Sequence, residues 1–65
     1  MKYKIIASKV QLVDIGIDYD ITGLIGEMKK YYINRWLTLE VSYTVGETTV
    51  TNSFDIPRDL LIKVD

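Results

Sequence analysis

The sequence contains neither cysteine nor histidine. Without cysteine, the chain has no means of forming a disulfide framework, a thiolate metal site or a thiol nucleophile. Without histidine, it lacks the commonest general base and the commonest metal ligand. These two absences remove most enzyme and metalloprotein chemistry from so short a chain. We therefore expect no catalytic residue, no metal ligand and no cofactor.

The chain also lacks a dominant charge and a long apolar run. Eight Lys plus Arg against nine Asp plus Glu give a net charge of -1, so no global field draws the protein onto nucleic acid or an anionic membrane. The first apolar run, residues 5–7, falls short of the ~7–15 apolar residues of a secretory signal, and nothing reaches the ~18 of a membrane span. The chain opens with Met, and we expect a complete small gene product of the cytosol.

What remains is a short, apolar-rich chain of 65 residues, 48% apolar and 26% charged. This composition is typical of one folded domain over residues 1–65 and not of a disordered chain. A domain near this size buries only ~60% of its unfolded surface, and natural chains so short usually add disulfides, a metal or a partner subunit. Because the absence of cysteine excludes the first and the absence of both cysteine and histidine disfavours the second, we expect association with a second copy or with a larger protein.

The clearest structural signal is a β-hairpin over 37–45 and 48–56. From Leu37 to Val45 the odd positions are apolar and the even positions polar, which is the period of a half-buried strand. Gly46-Glu47 suits a two-residue turn with glycine first. A two-residue loop pairs Leu39 with Phe54 and Tyr43 with Val50, which leaves the opposite face polar.

An apolar stripe at helical spacing predicts one helix over about residues 23–34. Glu27 lies early and two lysines lie late, as the helix dipole prefers. Gly23 and Gly26 count against the helix, because each costs up to ~1 kcal/mol relative to alanine. The stripe consists of Leu24, Ile25, Met28, Tyr31 and Tyr32.

The first twenty residues show strand-like alternation in two phases, which predicts one bent strand or two short ones. Val13, Ile15, Ile17 and Tyr19 alternate with polar residues, and the residues before Ser8 form a separate short alternation. The tail over 58–65 fits either a short helix or a strand. Together these elements predict an α+β fold, and a small all-β barrel with 24–34 as a bent strand is the alternative.

Residues 18–23 resemble the opening of a calcium-binding loop, with Thr22 in the third ligand position. Asp18 and Asp20 precede Gly23 with the spacing of such a loop, and Asp14 lies on the same predicted strand. The loop requires a bidentate glutamate at its twelfth position, where this chain has Lys29. We expect no tight divalent-cation site here.

One segment combines cations with aromatic rings and supplies the candidate binding residues. Such interleaving is typical of surfaces that bind single-stranded nucleic acid, and an exposed tryptophan is typical of protein interfaces. Trp36 lies in phase with the polar face of the hairpin. The candidate partner-binding residues are Lys29, Lys30, Tyr32, Arg35 and Trp36, with Tyr31 added for a nucleic-acid surface.

These observations predict a non-enzymatic protein-interaction module. It would act as an adaptor or inhibitor, as a homo-oligomer or bound to a larger protein target. The alternative is a small nucleic-acid-binding protein that uses residues 29–36. Abundant Ile, Lys and Tyr against a single Ala are the usage of AT-rich codons, which suggests a low-GC bacterium or a phage or mobile element within one.

Overall fold

Five strands and one short helix make up most of the chain in the computed structural model, which describes all 65 residues. The helix α1 spans Lys9–Asp14, and a single 3-10 turn spans Arg58–Leu60. The strands are β1 (Lys2–Ile5), β2 (Ile25–Tyr31), β3 (Trp36–Val45), β4 (Thr48–Pro57) and β5 (Leu61–Lys63).

The strands form one antiparallel sheet in the order β4-β3-β2-β1-β5. The N-terminal strand therefore lies inside the sheet, between β2 and β5, and the two edges are β4 and β5. Because these edges do not pair with each other, the sheet is open, and the barrel alternative is not confirmed. The α+β expectation holds only in part: the fold is mostly sheet with one short helix, and it is not clearly α+β.

The hairpin prediction is confirmed in its turn and its register. β3 and β4 pair Leu39 with Phe54 and Tyr43 with Val50, and Val45 pairs with Thr48 across the two-residue turn. Each strand extends one residue beyond the predicted bounds at the end away from the turn. Local alternation and turn chemistry agree here, so the sequence pattern alone determines the pairing.

The predicted helix over 23–34 is wrong, because residues 25–31 form strand β2. Gly23 has a φ of +84°, which a right-handed helix does not allow. Gly26 lies against β3, where a Cβ would stand 2.7 Å from the Glu40 carbonyl oxygen. The second glycine is therefore needed for close approach of two strands. A bulge between Met28 and Lys30 then shifts the register of β2.

The helix lies instead at residues 9–14, within the stretch predicted to be extended. Ser8 begins it with a capping box: its hydroxyl accepts from the Gln11 backbone N–H (3.2 Å), and the Gln11 side chain accepts from the Ser8 N–H (2.8 Å). After α1 the chain turns at Gly16, with φ +86°. The predicted strand through Val13 and Tyr19 is therefore wrong, and the tail is both a 3-10 turn and a short strand.

One face of the sheet carries the whole core. Leu12 of α1, together with Ile17 and Ile21 from the segment after it, packs against the aliphatic residues of β1, β3, β4 and β5. Further along the hairpin, the Tyr19 ring contacts Tyr43 and Phe54, with centroids 5.3 and 5.8 Å away. The chain thus covers most of its own apolar sheet face. The fully buried side chains are Ile5, Leu12, Ile21, Leu37, Leu39, Val41 and Ile56.

Candidate functional site: an aromatic pocket on the open face

The other face of the sheet has no element packed on it, and we call it the open face. On β3 and β4 it consists mainly of hydroxyl side chains, which alternate with the buried residues as strand geometry requires. Short polar side chains of this kind need no cover. The open face carries Thr38, Glu40, Ser42 and Thr44 on β3 and Thr49, Thr51, Ser53 and Asp55 on β4.

At one end of the open face lies a shallow pocket of about 210 Å³ lined by Tyr32, Asn34, Trp36 and Asp55. The turn between β2 and β3 brings the two rings together. It is closed by a hydrogen bond from the Arg35 N–H to the Tyr32 carbonyl (3.0 Å). The Asn34 side chain accepts from the Trp36 N–H (3.2 Å). Arg35 has a φ of +68°, the left-handed conformation that such a tight turn imposes.

A chain of polar groups links two residues of this pocket, Tyr32 and Asp55, through Thr38. The Thr38 hydroxyl donates to the Asp55 carboxylate (2.6 Å) and lies 3.1 Å from the Tyr32 hydroxyl. These bonds hold the carboxylate beside both rings. Asp55 forms no ion pair within the chain, since the four salt bridges involve other carboxylates. The pocket therefore presents one solvent-accessible negative charge beside an indole ring.

The cations of the predicted surface are all engaged by neighbours. The Lys30 ammonium stands 4.9 Å from the centre of the Tyr32 ring. Lys29 pairs with Glu40 at 3.9 Å, and Arg35 pairs with Asp59 at 3.4 Å. The two ion pairs are exposed and weak, but each places a carboxylate beside a cation.

The structure brings some of the predicted site residues together and separates others. Tyr32 and Trp36 line the pocket, and Lys30 stands over the Tyr32 ring. Lys29 and Arg35 do not line it. The sequence reading missed Asn34, Thr38 and Asp55. The hairpin register does place Thr38 opposite Asp55, but Tyr32 could join them only once residues 25–31 are known to be a strand.

No site for a metal ion is evident. The structure contains no group of three or more His, Cys, Asp or Glu side chains positioned to hold one. The pocket itself offers a single carboxylate. Its other lining groups are two aromatic rings and one amide.

No protein-family model, curated protein or solved structure matches this chain. None of its helices has both the length and the apolar character needed to cross a membrane.

Proposed function

We propose that the protein is a non-enzymatic interaction module whose pocket receives a lysine or arginine side chain of a partner protein. The observation that carries this proposal is the unpaired Asp55 carboxylate held beside the Trp36 ring. A cation over an indole face gains a cation–π attraction, and a carboxylate adds a charge-assisted hydrogen bond. Arginine suits the site best, since its planar head stacks on a ring and bonds a carboxylate with two N–H groups.

Two further features of the pocket favour a protein partner. Lys30 already stands over the Tyr32 ring, so an aromatic face of this site does attract an ammonium group. Ile33, at the tip of the adjoining turn, is fully exposed. Its apolar surface offers a protein partner a contact that a phosphate backbone has no use for.

Nucleic-acid binding is the second candidate, and it rests on the same segment. Tyr32, Trp36 and Lys30 do lie together on the open face, as a stacking surface requires. However, Glu40 and Asp59 stand beside the other two cations, and Asp55 lies in the pocket. These three carboxylates, beside the cations and in the pocket, offset the positive potential that phosphate binding needs. The geometry therefore favours a basic protein segment over a phosphate backbone.

The wider role that we propose is the one expected from the sequence. The module acts in the cytosol as an adaptor or inhibitor, encoded by a phage or mobile element or by its host. It works as a homo-oligomer or on a larger target. The chain buries most of its own apolar sheet face, and we propose that association uses the pocket on the open face and the edges of the sheet.

The pocket can be tested directly because Trp36 is the single tryptophan of the chain, so its fluorescence reports occupancy. We expect the blocked tripeptide Gly-Arg-Gly to change the emission, and Gly-Leu-Gly to leave it unchanged. Asp55→Asn should abolish the response. Lys30→Met should strengthen it, because it removes a cation from the Tyr32 ring, which lines the same pocket as Trp36.

A mixed-sequence single-stranded oligonucleotide provides the opposing test. Phosphate contacts impose a steep loss of affinity as salt rises. If the oligonucleotide binds with that salt dependence, and if Lys30→Met weakens it while the arginine peptide has no effect, the second candidate replaces the first.

A further inference from the structure

The two edges of the sheet are unlike each other. β5 has only three residues, whereas β4 presents ten, Thr48–Pro57. β4 pairs with β3 in an unbroken register, without a bulge. A long and regular edge is a ready template for another strand, and proteins usually protect such edges with lysine, internal proline or bulges. β4 has no lysine and no bulge, and its one proline is its last residue.

The hydrogen bonds at the end of the hairpin show which backbone groups of β4 are free. Trp36 accepts from Tyr32 of the β2 side (2.8 Å), whereas Arg35 accepts from Arg58 of the β4 side (2.8 Å). Even positions of β3 thus bond β2, and odd positions bond β4. Because antiparallel partners share this alternation, the even residues of β4 face β3. The residues whose N–H and C=O groups point away from the sheet are Thr49, Thr51, Ser53 and Asp55.

One partner could therefore contact both the backbone and the side chain of Asp55. Its backbone belongs to the free edge, and its side chain lines the pocket on the open face. A strand added beside β4 would place one side chain directly opposite Asp55, with Cβ atoms ~5 Å apart. A long cationic side chain at that position would reach the carboxylate and the Trp36 ring beyond it.

We infer that the β4 edge accepts an extended segment of a partner protein that carries arginine or lysine opposite Asp55. The inference rests on the proposed function, because it states how the basic side chain is delivered to the pocket. Main-chain hydrogen bonds along the edge supply affinity, and the pocket selects the cation.

A second copy of the chain does not fit this edge as well. The hairpin over 36–57 carries Glu40, Glu47 and Asp55 and no lysine or arginine. Two copies paired through β4 would bring these carboxylates together and would offer no cation to Asp55. Arg58, just beyond the strand, already donates to the Leu61 carbonyl (2.9 Å). Charge therefore favours a basic partner of different sequence.

The test uses the ¹⁵N-labelled full chain and two blocked heptapeptides of alternating Thr and Val, one with a central Arg and one with Ala in its place. We expect the Arg peptide to slow amide exchange at Thr49, Thr51 and Ser53, the free edge. It should also shift the Trp36 indole signal. The Ala peptide should bind about tenfold more weakly, the loss that accompanies one hydrogen bond to a charged group.

Variants at Ser53 separate the edge from the pocket. Ser53→Pro removes one outward N–H and leaves the pairing with β3 intact. It should therefore weaken binding of the Arg peptide about tenfold or more. Ser53→Ala keeps the backbone donor and should bind as the parent does. Ser53→Lys, at an exposed position that tolerates it, should also weaken binding by repelling the basic peptide. Thermal melting checks that each variant is folded.

Three results would overturn the inference. If the Trp36 signal responds to the Arg peptide while the β4 amides stay unprotected, strand addition is wrong and the pocket function stands. If both peptides protect β4 equally and Asp55→Asn changes nothing, the basic residue has no role and the proposed function fails with it. If the same amides become protected as protein concentration rises without peptide, a second copy occupies the edge.

Discussion

The two faces of the sheet are built from alternate residues of the same strands, and they differ in burial. On the covered face, Leu37, Leu39 and Val41 have no exposed surface. On the open face, their neighbours Trp36, Thr38 and Glu40 are only half-buried. The covered face holds the fold together through apolar burial, and the open face is free to carry binding chemistry. In a chain of 65 residues, the same strand pair therefore builds the core on one side and, in the function that we propose, a binding surface on the other.

The sharpest test of this contrast compares Leu39→Ala with Thr44→Val on the same strand. Leu39 is fully buried, so its truncation should lower the free energy of unfolding by about 2–5 kcal/mol. Thr44 is exposed on the open face, and its replacement should stay within ~0.5 kcal/mol. Urea denaturation measures both. Similar losses of unfolding free energy in the two variants would mean that both faces contribute equally to stability.

Gly26→Ala tests whether the covered side depends on close strand approach. The new Cβ would stand 2.7 Å from both the Glu40 carbonyl oxygen and Leu39 Cγ, so β2 and β3 must separate. We expect a loss of about 1–3 kcal/mol, as for overpacking. Gly16→Ala is the comparison, since no atom lies near that position and only its positive φ opposes the change. An unchanged melting temperature for Gly26→Ala would show that β2 and β3 can accommodate a Cβ at this position without loss of stability.

Ser8→Ala tests the layer that covers the sheet. It removes the cap of α1, and we expect a loss of ~1 kcal/mol from the free energy of unfolding. The effect should be visible as faster amide exchange within α1, whereas β3 and β4 keep their protection. Equal acceleration throughout the chain would instead make α1 part of the same cooperative unit as the hairpin.

Asp55→Asn should show the smallest effect on stability and a large one on binding. The side chain is exposed and the amide oxygen still accepts from Thr38, so the free energy of unfolding should change by less than ~0.5 kcal/mol. Its response to an arginine peptide should nevertheless disappear. A marked loss of stability would instead indicate that Asp55 is needed mainly to stabilise the fold.

The parts of this fold that could be predicted from the sequence are those set by local rules. Alternation from Leu37 to Val45 and the turn at Gly46 determine the hairpin without reference to the rest of the chain. The capping box of Ser8 and Gln11 is also local, and it could have located α1. The alternation through Val13 and Tyr19 predicted a strand instead, and it arises from a helix followed by an irregular covering segment.

The parts that could not be predicted depend on distant residues. The apolar stripe over 24–32 fits a helix or a strand, and the choice is made by the contact of Gly26 with β3. The pocket follows from that choice. The phase of Trp36 and the pairing of Thr38 with Asp55 are readable from the hairpin, but Tyr32 joins them only through the turn that β2 makes possible.

The position of β1 inside the sheet has a consequence for the order of assembly. Tyr3 pairs with Lys63 on one side and with Gly26 on the other. The contact between β1 and β5 closes a loop of nearly the whole chain, which is slow because of its entropic cost. During synthesis, the hairpin and β2 have their partners as soon as they emerge. The outer edge of β1, by contrast, stays unpaired until residues 61–63 have been synthesised.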